Sequence, residues 1–269
     1  MQSQLDKLPT LFYAETRQSM KVKAILEILN NNLKTICFTI NKEGMFLRTR
    51  TNANQYLEMN LLAGKFDVFT FNFPAPIHIG VESHFCSFSK ALVNKSSAIF
   101  SITTPNILKA AVMYGDSFSF SMEVITEVIQ NVSCEPLQTY TQPGIPIKIP
   151  LFTHTCKLFK GPSQDFVVVK EKGLLKMIIK NIDLITKTAI FGSEDKNDNS
   201  LITQQYKLDQ FIRIVKVTDF AKDSIKIYLE DAKPMMIQAE CDLGVFCVYF
   251  LKDDEGAEED TRVETYKKG

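Results

Sequence analysis

The 269-residue sequence predicts an α+β fold in two similar halves, rich in antiparallel strands and poor in helix. Three observations carry that prediction. Short runs of alternating or β-branched residues recur along most of the chain. Only four segments place apolar residues at helical spacing. One hairpin pattern occurs twice, about half the chain apart.

Strand patterns in the first half run over Thr35–Asn41, Met45–Arg50, Tyr56–Leu62, Asp67–Asn72, Ala98–Thr103 and Ser117–Ile125. In the second half they run over Phe166–Lys170, Leu174–Asn181, Leu184–Phe191, Ser224–Glu230, Met235–Glu240 and Val245–Leu251. Lys42-Glu43-Gly44 and Glu171-Lys172-Gly173 punctuate them as hairpin turns. Ser and Phe alternate after Ser117, which gives that strand one apolar face. Helical spacing appears in Arg17–Leu33, through Met20, Ala24, Ile25, Ile28 and Leu29, and in Ser83–Asn94, through Phe85, Phe88, Ala91 and Leu92. Phe152–Lys160 and Lys207–Val215 are shorter candidates, the former stopped by Gly161-Pro162.

The repeat relates Ile36–Leu47 to Asp165–Lys176, and aligning Gly44 with Gly173 sets an offset of 129 residues. The order helix, strands, helix, strands surrounds both copies. The predicted units are a first domain over 1–126, a connector over 127–147 with Pro136, Pro143, Gly144 and Pro146, a second domain over 148–251, and a polar tail over 252–269. The tail holds seven acidic and four basic residues, a composition expected to stay disordered.

Composition excludes several classes. Thirty-one basic residues balance thirty-one acidic ones, so the chain is neither polycation nor polyanion. No apolar run reaches a membrane span, and the first ten residues lack a signal-peptide core, so a soluble intracellular protein is expected. Six dispersed cysteines without a CxxC pair read as reduced thiols, and no zinc or other metal site is expected. His78, His84 and His154 have no acid or thiol at a diagnostic spacing, and no nucleophile elbow, P-loop or dinucleotide fingerprint occurs. The sequence thus offers no catalytic residues and no cofactor.

The neutral total hides a division. The four helical segments with their flanking lysines hold eleven Lys and Arg against two acids, Glu27 and Asp209, a net +9 offset by −9 elsewhere. Lysine is a good helix former, but so is glutamate, and glutamate is nearly absent from these helices. The sharper reading is a basic helical surface facing a polyanion. Phosphate contacts would supply sequence-independent, salt-sensitive affinity. No aromatic interleaving points to base stacking, which favours duplex over single-stranded nucleic acid.

Local stretches resemble the proliferating cell nuclear antigen family of DNA sliding clamps. Ala14–Leu29 is similar to that family's first strand-to-helix passage, and Gly44–Leu57 to its next hairpin and loop. Phe85–Leu92 resembles its second helix, and Lys233–Ile237 with Leu243–Leu251 its closing strands. The resemblance spans nearly the whole chain as a divergent member. It implies a duplicated sliding-clamp fold and a closed homotrimeric ring around double-stranded DNA, without catalysis of its own. It implies tethering of DNA polymerase, clamp loader and other replication and repair proteins, and a nuclear location. A large DNA virus as source would place it in a viral replication compartment. A checkpoint-type or viral relative that is heteromeric or monomeric is the alternative with the same fold. A hydrolase built on two strand carboxylates is the alternative from another class.

The resemblance also assigns residues. Lys23, Lys90 and Arg213 match basic positions that face DNA. Arg17, Lys21, Lys95, Lys157, Lys160, Lys207 and Lys216 join them from the same segments. The family's partner-peptide pocket maps to the Arg48–Gln55 loop with Arg50 and Gln55, to Val132, Leu137 and Tyr140 of the connector, and to Pro234, Tyr249 and Leu251. Arg50 and Gln55 replace apolar residues and Lys252 replaces a common Pro, so a more polar pocket is expected. Ring closure in this family pairs edge strands, for which Ser117–Val124 and Leu184–Phe191 are the candidates.

Overall fold

The structure, a computed structural model, describes residues 10–51, 55–115, 117–128, 139–159, 165–180, 186–195, 198 and 200–251. The predicted tail, Val132, Leu137, Cys134 and Lys160 lie outside the described residues. In the first half, β1 (Phe12–Thr16) leads into helix α1 (Ser19–Asn32). Then follow β2 (Thr35–Asn41), β3 (Gly44–Arg50), β4 (Gln55–Leu62), β5 (Val68–Phe71) and β6 (Ile77–Glu82). A 3-10 helix over Ser83–Ala91 precedes β7 (Ser96–Ile102), β8 (Ile107–Tyr114), β9 (Ser117–Ile125) and β10 (Glu127–Val128). The second half opens with β11 (Ile145–Lys148) and α2 (Ile149–Leu158). It continues with β12 (Asp165–Glu171), β13 (Leu174–Lys180), β14 (Thr186–Gly192) and β15 (Leu201–Lys207). Helices α3 (Leu208–Arg213) and α4 (Val217–Phe220) follow, then β16 (Ser224–Tyr228), β17 (Met235–Cys241) and β18 (Gly244–Phe250).

Local chemistry explains the elements. Val22, Ile25, Leu26 and Leu29 are buried on one stripe of α1, and the Asn32 side-chain amide donates to the Ile28 carbonyl (2.7 Å) in the last turn. The segment Ser83–Asn94, expected as a helix, winds as a 3-10 helix over Ser83–Ala91 instead. Its apolar residues Phe85, Phe88 and Ala91 are spaced by three, the period that places them on one line in that helix, and the Phe85 and Phe88 rings stack 6.4 Å apart. In the β2–β3 turn, Asn41 Oδ1 accepts from the backbone N–H of Glu43 (2.7 Å) and Gly44 (3.2 Å).

The strands form three antiparallel sheets in the orders β5-β1-β7-β8-β9, β10-β6-β2-β3-β4-β18-β17-β16-β11 and β14-β13-β12-β15. The duplication is legible in these orders. The run β6-β2-β3-β4 recurs as β15-β12-β13-β14, and β1-β7-β8-β9 recurs as β11-β16-β17-β18. The two halves join where β4 pairs with β18, from Gly244 opposite Leu61 to Phe250 opposite Gln55. By the same correspondence β14 is the counterpart of β4, and β9 of β18. Each of these two stands at the edge of its sheet.

The repeat needs one correction at the glycines. In the first hairpin Gly44 already pairs with Asn41, whereas in the second Leu174 pairs with Glu171 and Gly173 lies in the turn. Lys172 (φ 51°) and Gly173 (φ 76°) are both left-handed there, as a two-residue type I′ turn requires. Leu174, not Gly173, therefore takes the place of Gly44. The alternation missed β1, β6, β8, β10, β11 and β15. In β15 the inward positions are Ile202, Gln204 and Tyr206, and the buried Gln204 masks the apolar period.

One core runs through both halves. In the first half α1 and the 3-10 helix press Ile25, Leu26 and Phe85 against Met59 and Leu61 of β4 and Phe100 of β7. In the second, Phe211 of α3 is the hub, with the rings of Phe152 of α2, Phe166 of β12 and Phe250 of β18 at centroid distances of 5.4, 4.6 and 6.2 Å from it.

Candidate functional site

Two surfaces collect the residues singled out in the sequence. The first is the helical layer. Helix α1 packs against the 3-10 helix and, across the two halves, against α4 and α3. Phe152 of α2 packs on Phe211 of α3. Arg17, Lys90, Lys95, Lys157, Lys207, Arg213 and Lys216 are exposed, while Lys21 and Lys23 are half-buried. Their partners differ. Arg17 bridges to Asp67 (3.4 Å) and Arg213 reaches Asp209 (3.8 Å). Lys23 Nζ lies 3.4 Å from the Leu92 carbonyl. Lys21 Nζ donates to the carbonyls of Asp219 (3.0 Å) and Ala221 (2.7 Å). Lys216 bridges to Glu27 (2.9 Å) and Asp219 (3.2 Å). Among the described residues, Lys90, Lys95, Lys157 and Lys207 use their ammonium groups in no hydrogen bond or ion pair.

The second surface is the face of the nine-stranded sheet turned away from the core. Strand alternation fixes who stands there. The pairs Tyr56 opposite Tyr249 and Tyr249 opposite Met236 are neighbours across β4, β18 and β17. Met236, Cys247 and Tyr249 form a small apolar cluster, backed by Tyr56, Tyr140, Tyr228 and Val245. Tyr140 lies over it, 5.4 Å from the Tyr228 ring and 6.5 Å from the Tyr249 ring, with its hydroxyl donating to the Pro234 carbonyl (2.6 Å). Burial pushes the Cys247 thiol up to about 12, so it remains a protonated apolar group.

Polar groups on this face are satisfied in pairs. Glu58 accepts from Tyr249 Oη (3.0 Å), Arg48 (3.0 Å) and Asn60 (3.1 Å). Glu230 is buried, and it accepts from the backbone N–H of Thr141 (2.6 Å) and Gln142 (2.7 Å) and from the Lys233 ammonium. Lys233 also donates to the Thr139 carbonyl (2.6 Å). Burial raises the Glu230 carboxyl, but the Gln142 amide, Lys233 and the Thr141 amide together outweigh it, leaving it below the ordinary carboxylate range. Residues 139–142 are thereby tied to the β16–β17 turn.

Of the expected pocket residues, Tyr140, Pro234 and Tyr249 come together, Arg50 stands above Tyr56 (5.8 Å to the ring centroid), and Leu251 is half-buried just beyond β18. Gln55 is a correction. It has the opposite strand parity, is fully buried, and donates to the Gln210 carbonyl (3.3 Å) on the helix side of the sheet. Sequence reasoning missed Tyr56, Glu58, Tyr228, Glu230 and Met236. The parity of Tyr249 extended across paired strands identifies the first three and the last. Glu230 had no signal, because its partners are backbone amides.

The histidines hold ordinary positions: His78 contacts Thr39 (2.9 Å), His84 pairs with Glu82 (3.0 Å) at the surface, and His154 is exposed. Among the described residues no group of three or more His, Cys, Asp or Glu could hold a metal ion. No described helix is long and apolar enough to cross a membrane.

The architecture has solved counterparts. The proliferating cellular nuclear antigen of Entamoeba histolytica matches with a TM-score of 0.78 at 17% identity, over 90% of this chain and 99% of that one. The fold is that of a sliding clamp. A chain of the PCNA2–PCNA3 complex from Sulfolobus tokodaii matches the same share of each chain with a TM-score of 0.75 at 15% identity. By sequence, the clamp-like chain is 22% identical over 218 residues to the uncharacterized protein 436R of Invertebrate iridescent virus 6, covering 75% of this chain and 71% of that protein. No family model matches it. The duplicated sheets and helices described above are thus those of the sliding-clamp fold, at a divergence where sequence comparison alone finds little.

Proposed function

We propose that the chain is a DNA sliding clamp: three copies close into a ring around duplex DNA and tether polymerase and other replication and repair proteins to it. The observation that carries the reading is the pair of free edges. Inside the chain, β18 pairs with β4. Their counterparts β9 and β14 are unpaired edges of the same internal symmetry, so β9 of one copy meets β14 of the next by repeating that junction. Both edges bear exposed apolar side chains, Ile125 (82% exposed) and Phe120 on one, Ile190 (56%) on the other. Such edges are aggregation-prone unless a partner covers them.

Ring closure would leave the lysine-bearing helical layer toward the hole, where phosphate contacts are sequence-independent. The tyrosine-lined outer face would take short partner peptides, raising the partners' effective concentration on DNA. No step of chemistry is assigned to the chain. The viral relative supports a role in a viral replication compartment, and the fold equally suits a nuclear one.

The test is primer extension on a circular template with cognate polymerase and clamp loader, together with light scattering on the purified chain. Longer products and a mass three times 30.5 kDa are expected. Unchanged product length would defeat the clamp reading, and a stable monomer would defeat the homotrimer in favour of a heteromeric or monomeric relative.

A further inference from the structure

The helical cations were expected to act alike, and their surroundings divide them. Lys21 extends from α1 of the first half to the C-terminal end of α4 in the second, where its ammonium donates to the Asp219 and Ala221 carbonyls. Those carbonyls are the groups a helix leaves without intrahelical partners, and the end of a helix dipole favours a cation there. Six positions along α1, Glu27 meets Lys216, which also contacts Asp219. Two lysines thus cross the boundary between the halves in opposite directions, Lys21 of the first half to backbone carbonyls of the second and Lys216 of the second to the Glu27 carboxylate of the first. Hydrogen bonding to Glu27, countered in part by burial, holds Lys216 above the ordinary lysine range.

We propose that Lys21 and Lys216 are a clasp between the two halves, not phosphate contacts. The clasp holds the first-half helix α1 against the second-half helix α4. Phosphate contacts then fall to the uncommitted lysines on either side, Lys90 and Lys95 in the first half and Lys157 and Lys207 in the second. Each phosphate that a lysine neutralises releases counterions from the DNA, and an ammonium held within the protein reaches none, so the two groups separate in the salt dependence of binding. The assignment of phosphate contacts rests on the clamp reading; the clasp itself does not.

The experiment uses the full chain in two measurements, thermal melting and anisotropy of a labelled DNA duplex across a salt series. Lys21→Met is expected to lower Tm by about 2 °C or more while the slope of log K against log salt stays at its wild-type value. Lys21→Arg, which still donates to two carbonyls, is expected to keep the wild-type Tm. The exchange pair Glu27→Lys with Lys216→Glu is expected to recover most of the Tm lost by either change alone. Lys90→Gln, Lys157→Gln and Lys207→Gln are each expected to leave Tm unchanged and to reduce the slope by roughly 0.9. A Lys21→Met protein that melts like wild type overturns the clasp, as does one whose slope falls by a full phosphate contact. If the wild type binds no duplex at any salt concentration, the clamp reading fails, and the melting series still decides the clasp.

Discussion

At the scale of single residues, Glu230 is the most consequential group that no sequence pattern marks. A buried carboxylate is costly unless its acceptor sites are filled, and here two backbone amides and Lys233 fill them. The filled site ties the end of the connector beside Tyr140. Because the folded-state carboxyl sits below its ordinary value of 4.5, its contribution to stability is present above that pH and is lost as pH falls through the lowered value. The Glu230→Gln variant should therefore lose stability at neutral pH and show a shallower decline than wild type below about pH 4.5. Denaturant melts at pH 7 and at pH 3.5 measure both; an equal loss at the two pH values would deny the carboxylate its role. Lys216 works in the opposite sense. Its raised value makes the clasp fully effective below the ordinary lysine pKa of 10.5 and weaker as pH rises through the folded value.

At the scale of elements, the junction between β4 and β18 is the template for the rest of the assembly. A glycine makes it possible. A Cβ on Gly244 (φ 158°) would lie 2.1 Å from the Asn60 carbonyl oxygen. Gly244→Ala should cost several kcal/mol, of the order of ~3, through strain and displacement of β18, seen as a lowered denaturation midpoint. The same junction predicts the register between copies. Thr188 stands where Glu58 stands in β4, and Ser121 where Cys247 stands in β18, and Glu58 is opposite Cys247. Cysteines at Ser121 and Thr188 should thus form covalent oligomers ending at a closed trimer on denaturing gels after mild oxidation. Cross-linking that favours Ser121 with Ile190 would refute this register. Ile125→Lys should weaken association without unfolding the protomer, as sedimentation at micromolar concentration would show.

At the scale of the whole molecule, the net charge of zero conceals a basic excess in and beside the helical segments. Lys21, Lys23, Lys90, Lys157 and Arg213 stand within helices, whereas Arg17, Lys34, Lys95, Lys207 and Lys216 flank them. Long-range attraction between a basic hole and DNA is screened within about 8 Å at physiological salt, so duplex affinity before loading should be weak and steeply salt-dependent. Raising salt from 50 to 200 mM should depress anisotropy binding by tenfold or more, given about four uncommitted lysines per copy and a slope near 0.9 for each contact. A salt-independent affinity would point to another kind of recognition.

Residue order alone determined the α+β class and the doubled order of elements, because period and turn chemistry are local; the two edge strands were named through the family resemblance. Thr35–Asn41 and Ser117–Ile125 were legible to the residue for that reason. The basic excess in and beside the helical segments was legible as well. Tertiary structure alone decided which lysines are free, since Lys21 and Lys216 find their partners about 200 residues away in the chain. It also decided that Gln55 faces the helices and that Tyr56, Tyr228 and Met236 join Tyr249. A strand's parity assigns each side chain to one of two faces, but only the packing of helices on one of them tells which face is the core and which meets a partner.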